Sequence, residues 1–219
     1  MKSNSIDLKF LDENKLEKAA IVLKKGGVII HPTETVYGLA AVWNNENAIR
    51  RVAQLKKRSI EKPFSILVNK IEQIFNISGW QSNKLRNLLE DVFPAPITIL
   101  LPRKLDLPVL FWNQFVAIGF RFSDFQLCEK LVSMVGAPLI TTSANVSDQP
   151  PPKSSMDVSK SLANDVDLVL DGGESPIQIP STVLRFNPEN LDVELIREGA
   201  YPFHEFQKKV NAIFGNLTS

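Results

Sequence analysis

Residues 26–41, GGVIIHPTETVYGLAA, constrain this chain more than any other stretch. Two glycines stop whatever helix precedes them. Val28, Ile29 and Ile30 form the short apolar run of a buried strand, and Pro32 holds His31 extended. The turn beyond carries two hydroxyls and a carboxylate, Thr33, Glu34 and Thr35, before small residues suited to close packing resume at Gly38. A strand that delivers polar side chains to its end is how a rigid scaffold presents a pocket.

Three later stretches look like companions to it: KKRSIEKPF at 56–64, LITTSANV at 139–146 and PSTVL at 180–184. The four read together as one ligand site. Between them the spacing predicts helices over 12–25 (capped by Asp12), 46–57, 70–77, 82–92, 124–135, 157–163 and 202–214. Strands are expected over 28–30, 65–68, 97–101, 116–121, 139–142, 168–170, 182–186 and 193–196. The connection from 97–101 to 116–120 needs no helix, so part of the sheet is expected to be antiparallel. Short strands alternating irregularly with helices give an α/β fold, on the border of α+β, with one mixed sheet. The proline-rich loop over 148–155, DQPPPKSS, is expected as a rim or lid.

Composition excludes several classes. With 219 residues, 44% of them apolar and 22% charged, the chain reads as an ordinary globule. Its 25 basic and 24 acidic residues leave a net charge of +1, which gives no global electrostatic argument for nucleic acid. Cys128 is the single cysteine, so no internal disulfide or thiolate cluster forms; the apolar side of a helix in a reducing compartment is its expected place. No run approaches the roughly 20 apolar residues of a spanning helix. With no secretory signal pattern either, a cytoplasmic protein that meets no membrane is expected. His31 and His204 are too few for a multi-histidine metal site or a histidine-based triad. GxGxxG after the first strand and GxxxxGK[ST] are both missing, so neither the dinucleotide fold nor the P-loop is supported.

Lys56, Lys57, Arg58 and Lys62 put four cations within seven positions. At a helix C-terminus they interact favourably with the dipole. Fixed by Pro63, the same loop can instead hold Arg58 and Lys56 against phosphate oxygens and stabilise charge on a transferring phosphoryl group. Thr33, Glu34 and Thr35 serve equally as a turn motif or as part of the site. Thr141, Thr142, Ser143 and Asn145 exceed what one turn needs, and Ser181-Thr182 after Pro180 repeats the arrangement. Arg121 and Arg197 each end an apolar strand, where surface exposure is the default. Asp91, Asp106, Asp124 and Asp148 show no convergent spacing for paired-carboxylate chemistry. Ser143 as a nucleophile lacks a base. A cationic, hydroxyl-rich pocket remains, suited to phosphoryl or adenylyl chemistry by positioning.

In order along the chain, GGVIIHPTETVYGLAA, KKRSIEKPFSILV, PAPITILL, VAIGFRF, PLITTSANVSDQP, PSTVLRF and IREGAYP resemble the YrdC/Sua5 family of threonylcarbamoyl-AMP synthases. The resemblance implies a twisted, open mixed sheet flanked by helices, with a large basic cavity. It implies a single domain over 1–219, core about 12–202, of the short type without an additional C-terminal domain. The implied reaction joins L-threonine, bicarbonate or CO2, and ATP into L-threonylcarbamoyl-AMP and pyrophosphate. Partner proteins of a transfer complex then carry the group to adenosine 37 of tRNA (t6A), with transient tRNA contact. By motif position, Thr33, Arg121, Ser143 and Ser181 match the threonine side. Arg58, Lys62, Asn145, Lys153 and Arg197 match the ATP side, and Lys56 joins Arg58 as a catalytic cation. Mg2+ between the triphosphate oxygens is expected. No protein metal site is expected.

The chain departs from the family pattern at five residues, and the threonine common in the loop near Lys153 has no clear equivalent. Lys57 and Ser59 replace the glycine and proline of a KGRP motif, Ala95 replaces the glycine of PGP, Asp148 replaces the glycine after SANxS, and His31 replaces an aromatic residue. Asp148 is expected to set a carboxylate near the polyphosphate. These changes define the alternative, a nucleotide- or RNA-binding paralogue of the YciO type with little or no synthase activity.

Overall fold

The computed structural model describes residues 13–215. Among the described residues, nine strands form one mixed sheet: β1 (Ile29–His31), β2 (Gly38–Val42), β3 (Ser65–Val68), β4 (Ile97–Pro102), β5 (Ala117–Phe122), β6 (Leu139–Ser143), β7 (Leu168–Val169), β8 (Thr182–Asn187) and β9 (Asp192–Arg197). Their order is β7-β1-β2-β6-β3-β5-β4-β8-β9. β4 and β5 pair antiparallel, as expected, while β3–β5, β4–β8 and β1–β7 are parallel. The helices are α1 (Glu13–Lys24), α2 (Glu46–Leu55), α3 (Ile71–Ser78), α4 (Asn83–Val92), α5 (Leu110–Asn113), α6 (Gln126–Val135), α7 (Lys160–Asp165) and α8 (Phe203–Phe214). Asp12, the expected cap of α1, lies outside the described residues.

The elements follow the sequence closely, with four informative differences, one of them α5, a short helix inside the β4–β5 connection that was expected to need none. β2 was not expected as a strand, because Gly38, Ala40 and Ala41 have weak strand preference; it pairs with both β1 and β6. The helix expected over 46–57 ends at Leu55, because Lys57 turns to φ +48°. Its amide then bonds Gln54 O (2.9 Å) and that of Arg58 bonds Ala53 O (3.0 Å). This is a Schellman closure with a lysine where glycine is usual. The helix expected over 157–163 begins later, because Asp157 completes a capping box on a short turn and Ser159 caps α7.

Strand alternation gives the sheet two unlike faces. Ile66, Ile99, Ile118, Phe120, Ile140 and Leu184 point to one, where they pack with α2, α3, α4 and α8. The other face is covered at one end only. There Leu16, Ala19 and Leu23 of α1 and Leu127, Leu131 and Val135 of α6 pack on Ile29, Ala40, Leu67 and Leu139. Beyond that contact the same face carries Ser65, Thr98, Gly119, Arg121 and Thr141 and forms the floor of a cavity. Cys128 sits buried on the sheet side of α6, as expected, and burial pushes its thiol up to about 12.

Candidate active site

The cavity has a volume of about 540 Å³. Its floor is set by register: Ser65 lies beside Gly119 and Thr141, Thr98 beside Arg121 and Val183, and Val183 beside Arg197. A Cβ on Gly119 would come within 3.3 Å of Ser65 Oγ and Thr98 Cγ2, so the bare residue keeps the floor deep. Thr33, Arg58, Arg121, Ser143, Asn145, Ser181 and Arg197 all line this one space, so the four sequence segments do converge. Ser65, Thr98 and Gly119 were missed. Their signal was a lone polar or small residue in each apolar strand, always on the face opposite the core.

Three guanidinium groups give the cavity its charge. Arg58 stands over the Phe64 ring, 5.3 Å from its centroid, and donates from Nη2 to Pro63 O at 3.0 Å. Arg197 donates from Nη2 to Ser181 O (2.7 Å) and Ser181 Oγ (3.3 Å), and Ser181 Oγ lies 3.1 Å from Thr98 Oγ1. Burial holds both guanidiniums below the ordinary arginine range, with the charge of Arg121 adding to the effect at Arg197. Crowded, partly desolvated arginines favour an anionic ligand.

Arg121 is anchored from behind. Its Nη2 donates to Glu34 Oε1 at 2.6 Å and to Thr35 Oγ1, while Ser123 Oγ donates to Glu34 Oε2. Glu34 and Arg121 are both buried. Glu34 is therefore a counter-ion, not a helix or turn cap. Thr33 lines the cavity, yet its hydroxyl closes the turn by donating to Val36 O (2.7 Å) and accepting from the amides of Thr35 and Val36.

Three expected residues fall outside the cavity lining. Lys56 is buried and gives its ammonium to Ser143 O, Asn145 O (2.9 Å) and Asn145 Oδ1 (3.4 Å). The amide of Ser147 returns a bond to Lys56 O at 3.0 Å, so the two polar turns are stapled together. Lys56 thus holds the TSAN turn in shape; burial, then Arg58, brings it from 10.5 to about 8. Lys62 is exposed in the turn before Pro63. Lys153 lines an adjoining groove of about 430 Å³ that shares Asn145, Gln149 and Pro151 with the main cavity. The proline loop forms the rim between the two and is pinned by Tyr37 N donating to Pro152 O at 2.8 Å. Asp148 is exposed, at φ +67°, and belongs to the lining of neither space.

Among the described residues no three His, Cys, Asp or Glu side chains gather as a metal site. The carboxylate beside Arg121 is already engaged. The described residues therefore do not fit a divalent cation held by the chain itself.

A family model named Sua5_yciO_yrdC and described as telomere recombination matches residues 21–199. The chain belongs to the Sua5/YciO/YrdC family. One relative, a putative threonylcarbamoyl-AMP synthase of Methanocaldococcus jannaschii, is 32% identical over 95% of this chain and 99% of its own length. The threonylcarbamoyl-AMP synthase of Pyrococcus abyssi is 29% identical over 93% of this chain, which spans only 59% of that protein. The crystal structure of P. abyssi Sua5 complexed with L-threonine matches with a TM-score of 0.84 at 28% identity, over 94% of this chain and 60% of that one. The crystal structure of E. coli YciO shares the fold, with a TM-score of 0.78 at 22% identity over 89% of this chain and 94% of that one. The Sua5/YciO/YrdC fold thus accounts for the mixed sheet. No helix among the described residues is long and apolar enough to cross a membrane.

Proposed function

We propose that this protein is a threonylcarbamoyl-AMP synthase acting on L-threonine, bicarbonate or CO2, and ATP. The observation that carries the reading is the convergence of hydroxyl-bearing and guanidinium-bearing segments on one cavity large enough for an amino acid beside a nucleotide. The names borne by the relatives support it.

Arg121, held by Glu34, is suited to the threonine carboxylate, with Ser143, Ser181 and Thr33 around the amino-acid end. Arg58, Asn145 and Arg197 are suited to the triphosphate, with Lys153 in the adjoining groove and Lys62 on the exposed turn before Pro63. Lys56 acts through the TSAN turn as a positioning residue. The threonine amine attacks the carbon of CO2 released from bicarbonate, and the amine proton leaves to solvent. A carboxylate oxygen of the resulting N-carboxylate then attacks the α-phosphorus, and the bond to pyrophosphate breaks. Rate enhancement comes from alignment of the two substrates and neutralisation of the phosphate charge by the arginines. The product has the activated acyl form that a transfer complex needs to modify adenosine 37 of tRNA.

Pyrophosphate release that requires threonine and bicarbonate together tests the reading; release unchanged when threonine is omitted would overturn it. The second reading is a YciO-type paralogue that binds nucleotide or RNA with little chemistry. It is favoured by Lys57 and Asp148, side-chain-bearing residues at left-handed positions of the two turns that border the site. RNA binding with a steep salt dependence and no threonine effect would support it.

A further inference from the structure

Ser65 and Thr141 are partners across β3 and β6, and both line the cavity. Cross-strand partners bring their Cβ atoms to about 5 Å, so the two hydroxyls stand side by side on the floor. Among the described residues neither hydroxyl has a hydrogen-bond partner, although Thr141 is only 7% exposed. The remaining polar side chains of the floor are engaged. Thr98 Oγ1 meets Ser181 Oγ at 3.1 Å, and Arg121 is held by Glu34 and Thr35. A buried hydroxyl left unpaired in a cavity wall is a donor waiting for a ligand.

The pair lies between the two cationic ends of the site. Gly119 is the partner of Ser65 on β5, and Arg121 follows two residues along on the same face. In the other direction Pro63, two residues before Ser65, accepts from Arg58. The next positions across this face, Gly119 and Leu100, are uncharged, and both line the cavity. The floor between the guanidiniums is therefore neutral and offers hydrogen-bond donors alone.

We propose that Ser65 and Thr141 form the subsite for the CO2 unit of the reaction. This inference rests on the synthase reading of the cavity. In that reading the carbon joins the amine of an amino acid anchored at Arg121, and one of its oxygens then meets the phosphorus of a nucleotide held by Arg58. The CO2 unit must lie between the two, where the pair stands. Each hydroxyl donates one hydrogen to an oxygen of the planar group. Neutral donors suit the step, because they orient a carboxylate without cancelling the charge that makes its oxygen a nucleophile, as an arginine would.

Pyrophosphate release against bicarbonate concentration, in CO2-depleted buffer at saturating threonine and ATP, tests the subsite. Ser65→Ala and Thr141→Val each remove a hydroxyl with little change of shape. Both are expected to raise KM for bicarbonate about tenfold and to leave threonine and ATP binding unchanged by calorimetry. Thr141→Ser keeps the hydroxyl and should hold KM near the wild-type value. Ser65 is only half-buried, so Ser65→Ala decides the question even if Thr141→Val does not fold. An unchanged KM for bicarbonate in Ser65→Ala, or weakened threonine or ATP binding there, overturns the subsite while the synthase reading stands. Wild-type pyrophosphate release that ignores bicarbonate overturns that reading and the subsite with it.

Discussion

Glu34 Oε1 accepts from Arg121 Nη2 at 2.6 Å, in a buried pair whose arginine lines the cavity. Taking one member away leaves the other charge buried and uncompensated, which costs about 3–5 kcal/mol. Glu34→Gln keeps the shape and a hydrogen-bond acceptor, so a loss near the lower end is expected by urea denaturation. The double variant Glu34→Gln/Arg121→Met removes both charges and should recover much of that stability. It should not recover threonine binding, because the carboxylate partner is gone. Recovery of both properties would show that Arg121 has only a structural role.

Lys56 offers a test in which stability and activity move in opposite directions. Its folded-state value, about 8, lies below the ordinary 10.5. Between those two pH values the unfolded chain holds more protons, so stability from this group rises with pH across the window. The ammonium that grips Ser143 O and Asn145 O is lost over the same range. Synthase activity should therefore fall on an alkaline limb near pH 8 while the fold is not weakened by this group. In Lys56→Arg, whose guanidinium stays charged, the limb should move to higher pH.

Arg58 is expected to act on the polyphosphate from a partly desolvated position over Phe64. Arg58→Ala should lose about 2–5 kcal/mol of transition-state interaction, read as a fall of more than tenfold in kcat/KM for ATP. Calorimetry should show threonine binding little changed. Wild-type turnover would remove Arg58 from the mechanism.

Lys57 sits at φ +48° with its side chain exposed. The left-handed conformation costs a side-chain-bearing residue about 1–2 kcal/mol, and glycine forfeits about 0.5–1 kcal/mol through the freedom of the unfolded chain. Lys57→Gly should therefore be slightly stabilising in urea denaturation, by about 0.5 kcal/mol. Lys57→Val should destabilise, since branching at Cβ worsens the strain. Asp148→Gly, at φ +67°, should gain less, because aspartate tolerates this region better.

The places where elements begin and end were written locally. Asn45, Ser82 and Ser159 accept from the first turns of α2, α4 and α7, and Gly79 and Gly136 close α3 and α6, because capping depends on residues a few positions apart. The four polar segments could also be read as one site, since no single turn has use for so many hydroxyls and cations. The membership of β2 could not be read in this way. Its small residues are chosen by neighbours across the sheet, and Gly38 in particular by His31 and Thr141.

By itself, then, the sequence determined most of the helices, strands and turns, though not β2 or α5, and marked the segments that bring hydroxyls and cations to the cavity. Tertiary structure alone decided which way each polar side chain is used. Lys56 and Arg58 are two residues apart, yet the Schellman closure sends one to the TSAN turn and the other to the cavity. Glu34 became a counter-ion only because β5 places Arg121 beside it, 87 residues away. Hydrogen bonding and charge compensation act through space, and local patterning has no record of distances set by strand order.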